Sequence, residues 1–66
     1  MIFEKGFRYL TEHGSETVQE YIGNTKYYVD VYESTQGPDD SYYDEKLVGT
    51  TIRTVYDIRN EIKRWN

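Results

Sequence analysis

Hydrophobic residues recur at steps of three and four most clearly near the end of the chain, where Ile52, Val55, Ile58, Ile62 and Trp65 fall on one stripe of a helix. Thr54 is a suitable N-cap. Asp57 stands three residues on, in the capping-box place usually held by Glu or Gln, and Lys63 and Arg64 occupy the last turn, where the helix dipole favours cations. The pattern predicts a helix from about Thr54 to Trp65, with Ile58 and Ile62 buried against the sheet.

Upstream the period drops to two. In "TKYYVDVYES", Tyr27, Val29 and Val31 point one way while Tyr28, Asp30 and Tyr32 point the other, and the β-branched and aromatic content suits a strand. "ETVQEYI" also reads as a strand, with Val18 and Ile22 separated by Glu20, and Gly23-Asn24 offers a two-residue hairpin connection. After the turn cluster "QGPDDS", the stretch "YYDEKLVGTTI" returns antiparallel, with Gly49 as a bulge or strand end. The first fifteen residues fit two patterns. Ile2, Phe3, Phe7 and Leu10 make a helical stripe closed by Gly14, whereas "FRYLTEH" alternates into a turn at His13-Gly14. The strand reading is preferred. The expectation is a single small α+β domain over residues 1–66: an antiparallel meander of three strands, or four, packed on one C-terminal helix.

One helix covers one sheet face, so the face bearing Tyr28, Asp30 and Tyr32 has nothing to bury it unless the N-terminus forms a helix across it. Composition sharpens this point. The chain has eight tyrosines among 66 residues and no alanine, so some tyrosines must fill the core while others stand on the surface.

The absence of cysteine excludes disulfides and Cys-based zinc or redox sites. The N-terminus has no apolar leader segment, and no run of about 18 apolar residues spans a bilayer. A soluble, cytoplasmic protein with no membrane association is expected. Charge is unevenly placed: residues 1–51 hold ten acids against four bases, and residues 52–66 hold four bases against two acids.

Catalytic signals are missing. His13 is the one histidine, in a turn, with no Ser or Cys motif to serve, and a core this small leaves little room for a cleft. "PDDSYYDE" suggests calcium, but an EF-hand loop begun at Asp39 places Asp44 where Gly is needed and Thr50 where a bidentate Glu is needed. No enzyme, cofactor or metal is expected.

A three-stranded sheet backed by a helix is an arrangement that some DNA-binding modules use. Here the strands carry Glu16, Glu20, Asp30, Glu33, Asp44 and Glu45 against Lys26 and Lys46, which opposes phosphate binding. The basic helix is the only footprint for nucleic acid, and direct binding is not expected. Carboxylates interleaved with tyrosine instead suit a basic protein partner. Tyr28, Asp30, Tyr32, Asp39, Asp40, Tyr42, Tyr43, Asp44 and Glu45 form the candidate contact set, and the expected role is a non-enzymatic protein-binding module. Such a surface occupies a nucleic-acid-binding cleft by charge mimicry, a device of small inhibitors, those made by phages included. The alternative is a structural or self-associating domain, a homodimer among the outcomes, using the same face or an unpaired edge strand.

Overall fold

The computed structural model describes residues 3–36 and 43–65. Four strands, β1 (Arg8–Leu10), β2 (Gly14–Gly23), β3 (Lys26–Gln36) and β4 (Tyr43–Thr54), precede one helix, α1 (Val55–Trp65). The strands form a single antiparallel sheet in the order β1-β2-β3-β4, each paired with its neighbour in sequence. The meander and the C-terminal helix are as the sequence pattern predicts, and the fourth strand comes from the N-terminus. There the backbone runs on along β2 before β1 begins, with Gly6 N donating to Val18 O and Val18 N to Phe7 O, both at 2.8 Å.

The β2–β3 connection is Asn24-Thr25, one residue later than Gly23-Asn24, because Gly23 pairs with Lys26. Both loop residues have positive φ, 53° and 62°, as a two-residue turn matching strand twist requires. Val55 N donates to Thr25 O at 2.7 Å, so this turn also anchors the first residue of α1. Thr54 and Asp57 form the expected capping box: Asp57 N donates to Thr54 Oγ1 at 3.1 Å, and Thr54 N donates to Asp57 Oδ2 at 3.0 Å. The shorter Asp therefore closes the box as Glu would.

Three register shifts set which side chains meet, one of them leaving Ile22 extra between Tyr21 and Gly23. Across β3–β4, Val31 pairs with Gly49 and Tyr32 with Leu47, so Val48 is the extra residue. Across β2–β3, Val18 pairs with Val29 and Glu20 with Tyr28, leaving Gln19 extra. That slip overturns the reading of Val18 and Ile22 as matched positions around Glu20. Tyr21 now stands opposite buried Tyr27, and Ile22 is exposed.

The core lies between α1 and one sheet face and comprises Phe3, Tyr9, Val18, Tyr27, Val29, Val55 and Ile58, with Val31 and Ile62 packed at its margin. Tyrosine does help fill it. Phe3 meets Tyr27 edge-on at 5.6 Å between ring centres, and Tyr21 lies 5.0 Å from Tyr27. Ile52 corrects the helical stripe, since it belongs to β4 and is 47 % exposed on the far side of the sheet.

Gly14 opens β2 where the chain crosses β3 most closely. A Cβ there would stand 2.4 Å from Tyr32 O and 2.9 Å from Ser34 N, both backbone atoms that cannot rotate away. Gly14→Ala should therefore lower stability by about 1 to 3 kcal/mol, as overpacking does. Urea denaturation followed by circular dichroism measures it, and an unchanged midpoint would show that the strands part there without cost.

Candidate functional site

The sheet face away from α1 is assembled in rows, because directly paired residues share a face. One row runs Arg8, Thr17, Asp30, Thr50; the next runs Leu10, Ser15, Tyr32, Leu47; a third joins Glu20, Tyr28 and Ile52. Among the described residues no second layer covers these rows, since the N-terminal residues became a strand at the sheet edge and left this face alone. Leu10, Leu47 and Ile52 are 52 %, 53 % and 47 % exposed, and Tyr28 is 43 % exposed.

Apart from Glu45, the candidate contact residues fall into three groups. Tyr28, Asp30 and Tyr32 stand together on this face as expected; Asp30 accepts a hydrogen bond from Thr50 Oγ1 at 3.1 Å, and Tyr32 is half-buried. Tyr43 and Asp44 open β4 opposite Gln36 and Thr35. Asp39, Asp40 and Tyr42 lie outside the described residues.

Glu45 behaves differently from a bare surface carboxylate. It pairs with Ser34, whose small side chain lets the carboxylate cross β3 and reach the far strands. There Ser15 Oγ donates to Glu45 Oε2 at 2.8 Å, Arg8 Nη2 bonds Glu45 Oε1, and Arg8 Nε donates to Ser15 Oγ at 3.1 Å. This bridge ties β4 to β1 and β2 and encloses Ser15 completely. The Arg8 guanidinium, and then the Ser15 hydroxyl, hold the Glu45 carboxyl below its ordinary value of 4.5. A depressed carboxyl binds fewer protons folded than unfolded, so its contribution is present above pH 4.5 and is lost as pH falls through the lowered folded value. Glu45→Gln should accordingly show a smaller drop in urea midpoint than the parent between pH 7 and about pH 3. Equal drops would mean that the bridge adds nothing in solution.

The helix side holds a second polar cluster that the sequence did not reveal. Glu16, 5 % exposed, receives Arg53 Nε at its Oε1 and Arg53 Nη2 at its Oε2, each at 3.1 Å, and Tyr9 Oη donates to Oε1 at 2.6 Å. Hydrogen bonding to Glu16 raises the already high pKa of Arg53. Burial, followed by the bond to Glu16, pushes the Tyr9 phenol well above its usual value. These three residues clamp β1, β2 and the end of β4 where α1 starts. Beside them, Glu12, Glu33, Asp57, Glu61 and His13 line a groove of 450 Å³ between helix and sheet.

Leu10, Leu47 and Ile52 were missed as face residues. Leu47 becomes visible only once the Val48 bulge is placed, since a regular strand would put it and Ile52 on opposite faces. No helix among the described residues is long and apolar enough to cross a membrane. Comparison with protein-family models, curated proteins and solved structures finds no match to this chain.

Proposed function

We propose that the protein is a small non-enzymatic, cytoplasmic protein-binding module whose sheet face opposite α1 receives a protein partner with a basic surface. The supporting observation is the uncovered face itself: Leu10, Tyr28, Leu47 and Ile52 stand exposed on one side of a sheet whose other side carries the whole core. Large apolar side chains gathered on one face are a binding feature more than a folding one. The partner's basic character follows from charge, because residues 1–51 carry ten acids against four bases. Asp39, Asp40 and Asp44 steer the encounter, Tyr28 and Ile52 anchor it, and occupation of a nucleic-acid-binding surface by charge mimicry is the role that suits this division.

The experiment is kinetic, run on the partner recovered from the native host. Asp39→Asn with Asp40→Asn should slow association and flatten its salt dependence. Tyr28→Ser with Ile52→Ser should speed dissociation instead, with little change in melting temperature. Surface plasmon resonance beside a thermal melt reads both, and normal rates for the Tyr28–Ile52 variant would refute the reading.

A further inference from the structure

The sheet has two free edges, β1 and β4. β1 offers three residues and β4 twelve, and among the described residues β4 pairs with β3 alone. Every residue from Lys46 to Thr50 is exposed, with Leu47 and Val48 at 53 % and 50 %. An unpaired edge of this kind presents its amides and carbonyls as a template for a further strand.

Two backbone bonds fix which groups face outward. Val55 N donates to Thr25 O on the β3 side, so by alternation Arg53, Thr51 and Gly49 also turn their amides toward β3. Ile52 and Thr50 therefore turn theirs outward. Ser34 N donates to His13 O on the β2 side, so Glu33 faces β4 and its partner Lys46 faces back, leaving Glu45 and Leu47 outward. Because Val48 is inserted between the two halves, the outward residues 45, 47, 50 and 52 are spaced two, three, two. A regular strand spaces its bonding groups at two throughout and stays in step with only one half. A second β4, turned antiparallel, repeats the spacing of the first.

We propose that the protein forms a two-fold dimer in which β4 pairs antiparallel with β4 of a second copy, Leu47 opposite Thr50 and Glu45 opposite Ile52, with the two Val48 bulges meeting at the axis. In this register every outward residue from Glu45 to Ile52 meets an outward residue. Val48 stands opposite Gly49, beside which an added Cβ would meet nothing within 4 Å in the single chain. Lys46 stands opposite Thr51, so no like charges oppose each other. Leu47 and Thr50 lie in rows on the sheet face away from α1, as directly opposed residues must. The product is one continuous sheet with both helices on one side and both uncovered faces on the other. Pairing β4 with β1 of a second copy would use only three residues and give an open chain. The contact takes the backbone of Ile52 and does not involve Tyr28, so it stands or falls apart from the sheet-face reading.

Sedimentation equilibrium on the full chain, together with cysteine cross-linking, tests the proposal. Residues 45–52 make a smaller contact than the roughly 20 to 30 residues a side of a standard interface, so a reversible dimer with a dissociation constant of about 10 to 100 μM is expected. It should persist as salt rises from about 50 mM to about 500 mM, because no ion pair holds it. Val48→Lys brings two like charges to the axis and should weaken association at least roughly tenfold; Val48→Glu replaces it if a thermal melt shows it unfolded. The chain has no cysteine, so Lys46→Cys and Thr51→Cys each introduce one thiol. Mixed, these two variants should form a disulfide-linked dimer under mild oxidation, since opposed residues of a non-hydrogen-bonded pair have Cα atoms about 4.5 Å apart. Each alone should cross-link at least roughly tenfold more slowly, its two thiols lying about 17 Å out of step along the strands. Tyr28→Ser should dimerise as the parent does. A parent that stays monomeric to about 1 mM, a folded Val48→Lys variant that associates as the parent does, or single-cysteine variants that cross-link as fast alone as mixed would each overturn the proposal. So would a dimer that dissociates at high salt, the behaviour of charge pairing.

Discussion

Ile58→Ala should lower the unfolding free energy by about 3 to 5 kcal/mol, the upper part of the range for such truncations, because Ile58 is wholly enclosed and its neighbours cannot collapse into the space. The side chain belongs to the core cluster that includes Val29 and Tyr27, and among the described helix residues it is the most enclosed. A domain of this size has roughly 3 to 10 kcal/mol in total, so much of the variant should be unfolded at room temperature. Ile62, at the margin of the core, should cost about 1 to 2 kcal/mol when shortened to alanine. Urea denaturation of both variants, followed by far-ultraviolet circular dichroism, gives the comparison. Equal losses would mean that the helix docks on both residues alike, as its sequence spacing alone suggests.

The second large effect concerns the clamp of Glu16, Arg53 and Tyr9. Arg53→Ala removes both hydrogen bonds from a carboxylate that is 5 % exposed and leaves it only the Tyr9 hydroxyl. Breaking one side of a buried pair is costly. Here the guanidinium side chain keeps 38 % of its exposure, which softens the loss, and about 2 to 4 kcal/mol is expected at neutral pH. Glu16→Met combined with Arg53→Met should recover a good part of that loss, since no uncompensated charge remains. A double-mutant cycle by urea denaturation measures the coupling. A coupling near zero would mean that water already screens the pair and that the clamp is decorative.

The helix and its capping box were legible because their signals are local: a 3.6-residue stripe and two polar side chains three positions apart. The two faces of β3 were legible for the same reason, with Tyr27 and Val29 buried and Tyr28 exposed. What the pattern concealed depends on pairing between strands. The bulges at Gln19 and Val48 shift the alternation in β2 and β4, so Tyr21, Leu47 and Ile52 take faces that no period-two reading assigns them. Ile52 was further obscured because its spacing to Val55 also suits a helix. The Glu16–Arg53 and Arg8–Glu45 bridges each span 37 residues, and nothing in local sequence marks such partners.

The two bridges also bear on the use of acidity. Of the carboxylates on the described strands, Glu16 and Glu45 serve the fold, each held by an arginine. The apolar rows around Tyr28 and Ile52 are then the stronger feature of the uncovered face, and charge has the supporting part of bringing a basic partner near.

The most direct measurement is a parallel affinity capture from the native host, with the parent chain, the Tyr28→Ser and Ile52→Ser double variant, and an Arg59→Glu and Lys63→Glu variant as baits, analysed by quantitative mass spectrometry. The account predicts one basic protein retained by the parent and by the helix variant and lost from the sheet-face variant. The same proteins retained equally by all three baits, or none retained by the parent, would contradict it.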